Sequence, residues 1–417
     1  VTLTGDGINQ SILDAEGTDR VILCDSLSNI TIEHLSVRNG YVNTESGQSG
    51  LFGGGISIES CSKVLFQFNE VDNNAIVNGL GGSAYGGGIG CTSGTNVTIF
   101  SNVITNNSSG GDGSSGGGCY LHGSMVFVAN NTISHNYNAT MLGSRGSGIH
   151  LNAWPGLLVN NTIMNNSRDY SYFGVGVLIS RKALIVRNHI TENNSHTTTN
   201  SRAGNGIGIQ DYSEQVVIGG SPGNGNNIYD NHIESNAWGK QLALRGEEIY
   251  VIATHNYFGE GVDPSTDSTI VYPLANFLTD HFSSETITFS TNPLISFFDT
   301  VRFTSSNLGE SLEIQGEVYN TSNSVVNILH TDIADPSFTA SLDSQVVQPF
   351  SSAIFNISFT PEQYGLTEAS LFIHLEDDTL ELPLRGHVEY PVSAVQNSIH
   401  PNSFIISNIY PNPFNPS

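Results

Sequence analysis

Side chains that could bind a sugar or move a proton lie close together in the first half of the chain. Tyr120, His122, His150 and Asn152 alternate with apolar residues in two segments about 30 residues apart, and Trp154 follows directly. Such alternation places these side chains on the outer face of strands. Aromatic rings stack on sugars, while imidazole and amide groups bond hydroxyls. The pattern predicts a ligand-binding patch.

Three more candidates for this patch, Arg145, Asp169 and Tyr172, stand in variable loops that should leave the repeat at one corner and wall the strand. A groove with a polar floor and aromatic walls suits an extended polysaccharide. The alternative is that outward positions are polar because they face water, and that the cluster arose by chance.

Catalytic residues are not identified, and the candidates are His122, His150 and Tyr120. Glycoside hydrolysis usually needs two carboxylates beside the scissile bond, yet the predicted outward positions supply only Glu59. A lyase needs a base near a neutralised uronate, and neither Arg181 nor Lys182 belongs to a lyase motif. We therefore leave enzymatic activity open and lean towards a protein that is not an enzyme.

The charge balance argues against two classes of partner. Lys and Arg total 13 against 38 Asp and Glu, giving a net charge of −25, whereas nucleic acids and anionic membranes attract basic surfaces. No apolar run is long enough to span a bilayer. No His/Cys spacing predicts a zinc site and no cofactor is predicted; calcium is compatible with the acidity, but no loop matches a calcium motif.

A glycine repeat organises residues 1–260. Two glycines separated by one residue, followed by an apolar residue, recur about every 30 residues, which is typical of a solenoid. The pairs of apolar residues after each repeat should point inward and stack from coil to coil; they are Ile56 and Ile58, Ile89 and Cys91, Cys119 and Leu121, Ile149 and Leu151, Val177 and Ile179, Ile207 and Ile209, and Leu242 and Leu244.

Two asparagine ladders accompany the glycines. We assign the first to Asn69, Asn102, Asn131, Asn161, Asn188, Asn231 and Asn256, and the second to Asn74, Asn107, Asn136, Asn166, Asn193 and Asn236. Asparagine tolerates the left-handed backbone of a tight corner and can bond to its equivalent in the next coil. Parallel strands joined in this way should wind right-handed, in about eight coils.

The turns Asn130-Asn131-Thr132-Ile133 and Asn160-Asn161-Thr162-Ile163, with Asn256-Tyr257-Phe258-Gly259, resemble those of secreted bacterial proteins of the right-handed parallel β-helix, pectate-lyase-like superfamily. The resemblance implies an all-β fold but no single activity, because lyases, hydrolases, epimerases and plain surface proteins share it. Residues 261–291 are expected to cap the solenoid and link it to the rest.

Residues 292–390 have the short alternating strands of a β-sandwich. Phe359-Thr360-Pro361, Gly365 and Leu384-Arg385-Gly386 resemble the Ig-like modules of the Hydin and abnormal-spindle type, which imply a spacer. Within residues 391–417, the string from Tyr410 to Ser417 resembles the opening of the type A sorting domain of type IX secretion. That resemblance implies a secreted or outer-surface protein of a Gram-negative bacterium, exported by this machinery.

The chain is expected to begin inside a domain and to stop within the sorting domain. Its four cysteines could form disulfides in an exported protein. Cys24 and Cys91 should lie two coils apart, beyond bridging distance, so buried thiols are the favoured interpretation. The leading functional hypothesis is a protein that binds or organises extracellular polysaccharide, adhesin-like or structural. The alternatives are a polysaccharide lyase or glycoside hydrolase, and a purely structural spacer or fibre subunit.

Overall fold

The computed structural model describes residues 1–390 apart from 45–49, 80–81, 140–144, 172–173, 199–203, 211–212, 234–239, 246–248, 269, 280 and 306. The described chain is all-β, with a single short 3-10 helix at Leu274–Asn276. A parallel β-solenoid of about eight turns precedes two four-stranded sheets. The expected solenoid is confirmed.

Four columns of parallel strands build the solenoid, numbered here in the order in which the chain visits them. Sheets 1 and 2 are joined through the strand Ile89–Phe100, which belongs to both. The other strands of sheet 1 are Ile22–Asp25, Ile56–Glu59, Cys119–Gly123, Ile149–Ala153, Val177–Ile179, Gly204–Ile209, Lys240–Leu244 and Val271–Tyr272. The other strands of sheet 2 are Thr2–Thr4, Ser28–Glu33, Ser62–Gln67, Val126–Ala129, Gly156–Val159, Ala183–Val186, Val216–Ile218, Val251–Ile252 and Phe277–Leu278.

Sheets 3 and 4 lie beyond the two asparagine corners. Sheet 3 contains Ile12–Asp14, Ser36–Arg38, Glu70–Asp72, Val103–Thr105, Thr132–Ser134, Thr162–Met164, His189–Thr191 and Asn227–Tyr229. Sheet 4 contains Tyr41–Thr44, Ala75–Asn78, Ser108–Gly110, Tyr137–Ala139, Ser167–Ser171, Asn194–Thr198 and His232–Ile233. A two-stranded sheet, Leu51–Phe52 with Ala84–Tyr85, precedes sheet 1 in two coils.

The solenoid core is the one predicted from the glycine repeat. All fourteen inward residues of sheet 1 named above are buried in a single hydrophobic cluster. They stack in register, so that Ile89 pairs with Ile56 on one side and with Cys119 on the other. All four cysteines are buried free thiols, as expected.

Both asparagine ladders form continuous chains of hydrogen bonds. Asn131 Oδ1 accepts the backbone N–H of Asn102 at 2.8 Å, and Asn131 Nδ2 donates to Asn161 Oδ1 at 3.0 Å. One of our assignments, that of Asn231, is wrong. Asn226 follows Asn188 in the first ladder, whereas Asn231 belongs to the second, after Asn193.

The misassignment arose because the coil between Asn188 and Asn226 is longer than the others, at a separation of 38 residues. Asn236 lies outside the described residues. The corner residue with left-handed backbone is also not the ladder asparagine but the residue before it, for example Asn130 and Asn160 with φ of 60° and 55°.

The C-terminal part forms two four-stranded sheets around one core. The first contains Leu294–Ser296, Leu312–Asn320, Ser352–Phe359 and Phe338–Leu342; the second contains Val301–Ser305, Thr379–Val388, Gly365–His374 and His330–Ile333. A two-stranded sheet joins Val326–Asn327 to Val346–Val347. The predicted inward residues Phe355 and Ile373, from different sheets, share one cluster. We call residues 292–390 the C-terminal module.

This module packs against the solenoid and is not a detached spacer. The outer face of sheet 2, including Phe127, Leu157 and Leu184, forms one buried cluster with Ile295 and Tyr319 of the module. The link segment contributes to the solenoid as well, because Val271–Tyr272 and Phe277–Leu278 pair with the preceding coil. Parallel pairing therefore continues into residues 261–291.

Candidate functional site

A tight turn precedes the strands of sheet 1. Gly53, Gly86 and Gly116 have φ of 66°, 73° and 69°, and a Cβ on Gly53 would lie 2.1 Å from the carbonyl oxygen of Ile56. Only glycine fits so close a backbone approach. The turn folds the preceding segment back across the outer face of sheet 1, where a Cβ on Gly90 would meet the carbonyl oxygen of Tyr85 at 2.8 Å.

This folding back corrects one sequence expectation. Tyr120 and His150 lie side by side on neighbouring coils, as predicted, but they are only 9% and 4% exposed. In the same outward column Ser57 and Leu178 are fully buried. The first outward column is therefore a covered layer between sheet 1 and the segments that precede the glycine turns.

His150 is held at both ring nitrogens. Ser115 Oγ donates to the backbone oxygen of Arg145 at 2.9 Å and lies 2.7 Å from His150 Nδ1. Ser180 Oγ donates to Gln210 Oε1 at 2.8 Å and lies 2.6 Å from His150 Nε2. A hydroxyl therefore lies within hydrogen-bond distance of each ring nitrogen.

Burial, with smaller contributions from Arg145 and His122, lowers the pKa of His150 to about 3. A base so weak and so enclosed gives no support to His150 as a proton acceptor. The network instead fixes the ring edge-on against Tyr120, with ring centroids 5.0 Å apart and an interplanar angle of 88°.

A row of aromatic rings crosses successive coils beside this network. Phe52 stacks on Tyr85 with centroids 5.1 Å apart and planes 20° from parallel, and Tyr85 contacts Tyr120 at 4.7 Å. Phe52 and Tyr85 are partly exposed. We call Phe52, Tyr85 and Tyr120 the aromatic row.

Sequence reasoning missed Phe52, Tyr85 and Ser115 as site residues. The signal was present, because each stands immediately before the first glycine of a repeat. The structure shows why the position matters: Phe52 pairs with Tyr85, and Tyr85 with Ser115 through a further parallel bridge. The position before each turn is the second layer of the site.

The second outward column is more open. His122 and Asn152 are paired on neighbouring strands and partly exposed, and Asn152 Nδ2 donates to the Tyr120 hydroxyl at 3.5 Å. Trp154 is 45% exposed. Burial, followed by the charge of Arg181, lowers the pKa of His122. This part of the predicted patch presents donors, acceptors and an indole to solvent.

Arg145, Asp169 and Tyr172, the loop residues predicted to line the patch, differ in their surroundings. Arg145 is partly exposed and close enough to affect the pKa of His150. Asp169 lies on a strand of sheet 4 and accepts a hydrogen bond from the Tyr137 hydroxyl. Burial is the main cause of the raised pKa of Tyr137, and the bond to Asp169 is the second. Tyr172 lies outside the described residues. The roles of all the predicted site residues in binding or catalysis stay predictions.

Carboxylates of the outer face are concentrated at the N-terminal coils. Asp25 pairs in register with Glu59. The second outward column therefore supplies two carboxylates, whereas we expected only Glu59. Glu59 accepts from Ser57 at 2.7 Å and lies 3.4 Å from the Arg20 guanidinium. Among the described residues, no group of three or more His, Cys, Asp or Glu is arranged to hold a metal ion.

No protein-family profile matches the chain, and no curated protein does. In the described part, no helix is long and apolar enough to cross a membrane.

Three similar solved structures each cover part of the chain. A Porphyromonas gingivalis protein of unknown function is 13% identical with a TM-score of 0.21, over 27% of this chain and 53% of that one. A PapD-like domain of human CEP192 is 18% identical with a TM-score of 0.21, over 26% and 99%. The secreted serine protease VesC of Vibrio cholerae is 12% identical with a TM-score of 0.18, over 21% of each chain. The matches span about half or less of the first and third of these proteins, and similarities this low carry no functional conclusion.

Proposed function

We propose that the protein binds or organises an extracellular polysaccharide without transforming it. The observation that carries this proposal is the aromatic row, in which Phe52, Tyr85 and Tyr120 from successive coils lie in mutual contact. Phe52 and Tyr85 are the partly exposed members of the row, and sugar rings stack on aromatic faces. His122 and Asn152, beside the row, would bond hydroxyls, and Trp154 offers a further exposed ring.

Binding is favoured over catalysis by the state of the ionisable groups. His150 is neutral and enclosed. Glu59 is engaged by Arg20 and Ser57. It lies two coils from Tyr120 in the register of sheet 1, and its neighbour Asp25 lies one coil further away. A retaining or inverting hydrolase instead needs two carboxyl groups flanking one sugar linkage.

Affinity electrophoresis in gels containing single polysaccharides, uronate-rich and neutral, tests the proposal. Retardation should appear with at least one polymer. Tyr85→Ala and Trp154→Ala should each weaken it about fivefold, since losing one aromatic contact costs about 1 kcal/mol. Tyr250→Ala is the matched control, because Tyr250 is 59% exposed outside sheet 1.

Unchanged retardation in both variants would refute the proposal that the aromatic row and Trp154 bind the polysaccharide. Release of unsaturated or reducing ends from any of these polymers would refute the proposal that the protein binds without catalysis. It would favour the lyase or hydrolase alternative. A chain that binds no polymer at all would favour the spacer or fibre subunit.

We also propose that the fold is of the pectate-lyase-like type, that the C-terminal module is Ig-like, and that the segment starting at Tyr410 opens a type IX sorting signal. The resemblances of Phe359-Thr360-Pro361 and of Tyr410 to Ser417 support the second and third of these; residues 391–417 lie outside the described part. Expression in a bacterium with this secretion system, with and without the signal, is the test. Equal amounts of protein in the medium or on the surface, with and without the segment, would refute the proposed secretion signal.

A further inference from the structure

Two histidines face each other on the second sheet of the C-terminal module. His330 begins the edge strand His330–Ile333, and it pairs in antiparallel register with His374, the last residue of the strand Gly365–His374. Residues directly opposite each other in this way have Cβ atoms about 4.5–5.5 Å apart. Ile373, the neighbour of His374, is fully buried in the module core, so alternation places both imidazoles on the outer face of the sheet.

The two imidazoles lie close together and nearly parallel. Their centroids are 4.3 Å apart and their planes are 18° from parallel. His330 is exposed and His374 is partly exposed. Bonds from a metal ion to imidazole nitrogen are about 2.0–2.1 Å long, so two nitrogens on one ion are separated by at most about 4.2 Å. The rings stand near this limit, and a small rotation of the exposed His330 ring brings two nitrogens within it.

Thr379 orients one of the two rings. It lies opposite His374 on the next strand, and its hydroxyl is 3.2 Å from His374 Nδ1. Histidines that bind metals usually have one ring nitrogen held by such a partner while the other binds the ion. Within the part of the chain that the structure describes, His374 Nε2 and both ring nitrogens of His330 have no hydrogen-bond partner. These nitrogens are therefore available to a ligand.

The charge around the pair favours a cation. Asp332 stands two residues after His330 on the same face of the sheet and is exposed. Arg302 and Arg385 are the only Lys or Arg residues after position 291, and each lies within 3.5 Å of a carboxylate. The module therefore presents no uncompensated Lys or Arg that would repel an ion from the histidines.

We propose that His330 and His374 together bind one divalent transition-metal ion of the group nickel, copper and zinc. Imidazole is a preferred ligand of these ions, whereas calcium and magnesium take oxygen ligands. The protein supplies two nitrogens, water fills the remaining positions, and Asp332 adds negative charge nearby. Copper(II) binds most tightly, because nitrogen ligands generally follow the order nickel below copper and copper above zinc.

This site is separate from the polysaccharide surface. The second sheet of the module takes no part in the cluster that joins the module to the solenoid, since Ile295 and Tyr319 of that cluster belong to the first sheet. The spacing of histidines along the chain gives no sign of the site, because its two members stand on strands that are distant in sequence and meet only through antiparallel pairing.

Isothermal titration calorimetry on the whole chain, purified without a polyhistidine tag, tests the proposal with Cu²⁺, Zn²⁺ and Ca²⁺ at neutral pH. We expect Cu²⁺ to bind more tightly than Zn²⁺, and Ca²⁺ not to compete with either. Electron paramagnetic resonance of the Cu²⁺ complex should show two nitrogen ligands. Silence with Cu²⁺, or a tightest site with a single nitrogen ligand, would overturn the proposal.

Variants locate the binding. His330→Asn and His374→Asn should each weaken Cu²⁺ binding at least about tenfold, because the ion then keeps a single imidazole. The matched control is His387→Asn, since His387 is exposed on the adjacent strand but pairs with Leu366 and not with a histidine. This control should leave the affinity unchanged. A loss in only one of the two variants, or an equal loss in the control, would refute the paired site.

Discussion

Replacing Asn131 by alanine tests whether the asparagine ladders hold the coils together. Asn131 lies in the middle of the first ladder and is 1% exposed. Its Oδ1 accepts the backbone N–H and the Nδ2 of Asn102, at 2.8 and 3.0 Å. Its Nδ2 donates to the carbonyl oxygens of Ile99 and Ala129 and to Asn161 Oδ1, at 2.8, 2.9 and 3.0 Å. Alanine removes all of these contacts at once.

The loss can be worked out atom by atom. Asn102 Nδ2 keeps one acceptor, the carbonyl oxygen of Phe66 at 3.0 Å, and Asn161 Oδ1 keeps one donor, the backbone N–H of residue 131 at 2.9 Å. The backbone N–H of Asn102 loses the acceptor that its ladder bond supplies. One unsatisfied buried donor costs about 1–3 kcal/mol, and the small cavity adds to this. We expect the free energy of unfolding to fall by about 2–4 kcal/mol.

Urea unfolding followed by far-ultraviolet circular dichroism measures this change, and hydrogen exchange of the peptide containing the Asn102 amide shows whether the effect is local. Asn130→Gly is the matched control. Asn130 is exposed with φ of 60°, a conformation that glycine keeps, so the change should stay within about 0.5 kcal/mol. A loss below about 1 kcal/mol for Asn131→Ala, with unchanged exchange at Asn102, would refute the ladder argument.

Three further predictions concern buried polar groups. Arg187 is 1% exposed and donates to the Asn292 backbone oxygen at 2.6 Å, so Arg187→Met should loosen the module and speed proteolysis between residues 278 and 292; an unchanged cleavage rate would contradict this. Burial raises the pKa of Cys91 to about 12, so a thiol reagent at pH 8 should label Cys91 only after unfolding, and rapid labelling of the native chain would count against this burial. The pKa of His150 is about 3 when folded and about 6.5 when unfolded, so the unfolded state binds the proton first and stability falls as the pH drops from 6.5 towards 3. Acid unfolding curves should show a shallower loss for His150→Gln, whereas a loss as steep as in the unchanged chain would contradict the buried neutral ring.

Local repetition made most of the solenoid predictable. Each coil repeats a glycine turn and two asparagine corners, and the inward residues then follow from period-two alternation. The prediction is wrong where the repeat changes length, because Asn226 and Asn231 each have an isoleucine two places further on and both fit the pattern of the first ladder. Only the hydrogen-bond partners distinguish them.

The outer face was predicted less well, because alternation says which side a residue faces but not what covers that side. The burial of His150 depends on segments folded across it by the glycine turns. The contact between sheet 2 and the C-terminal module is indicated by the sequence. Val126-Phe127-Val128-Ala129 and Ala183-Leu184-Ile185-Val186 are apolar throughout, which is typical of strands buried on both faces.

The asparagine ladders also keep successive coils in register. Successive rungs of the first ladder are separated by as few as 27 residues, from Asn161 to Asn188, and by as many as 38, from Asn188 to Asn226. The second ladder shows the same two separations. Every insertion therefore falls outside the segment between the two corners, and each pair of asparagines restores the register before the next coil begins. Loops of new length and sequence could be grafted between coils without shifting their neighbours, which makes this rod a scaffold that can change its surface while keeping its core.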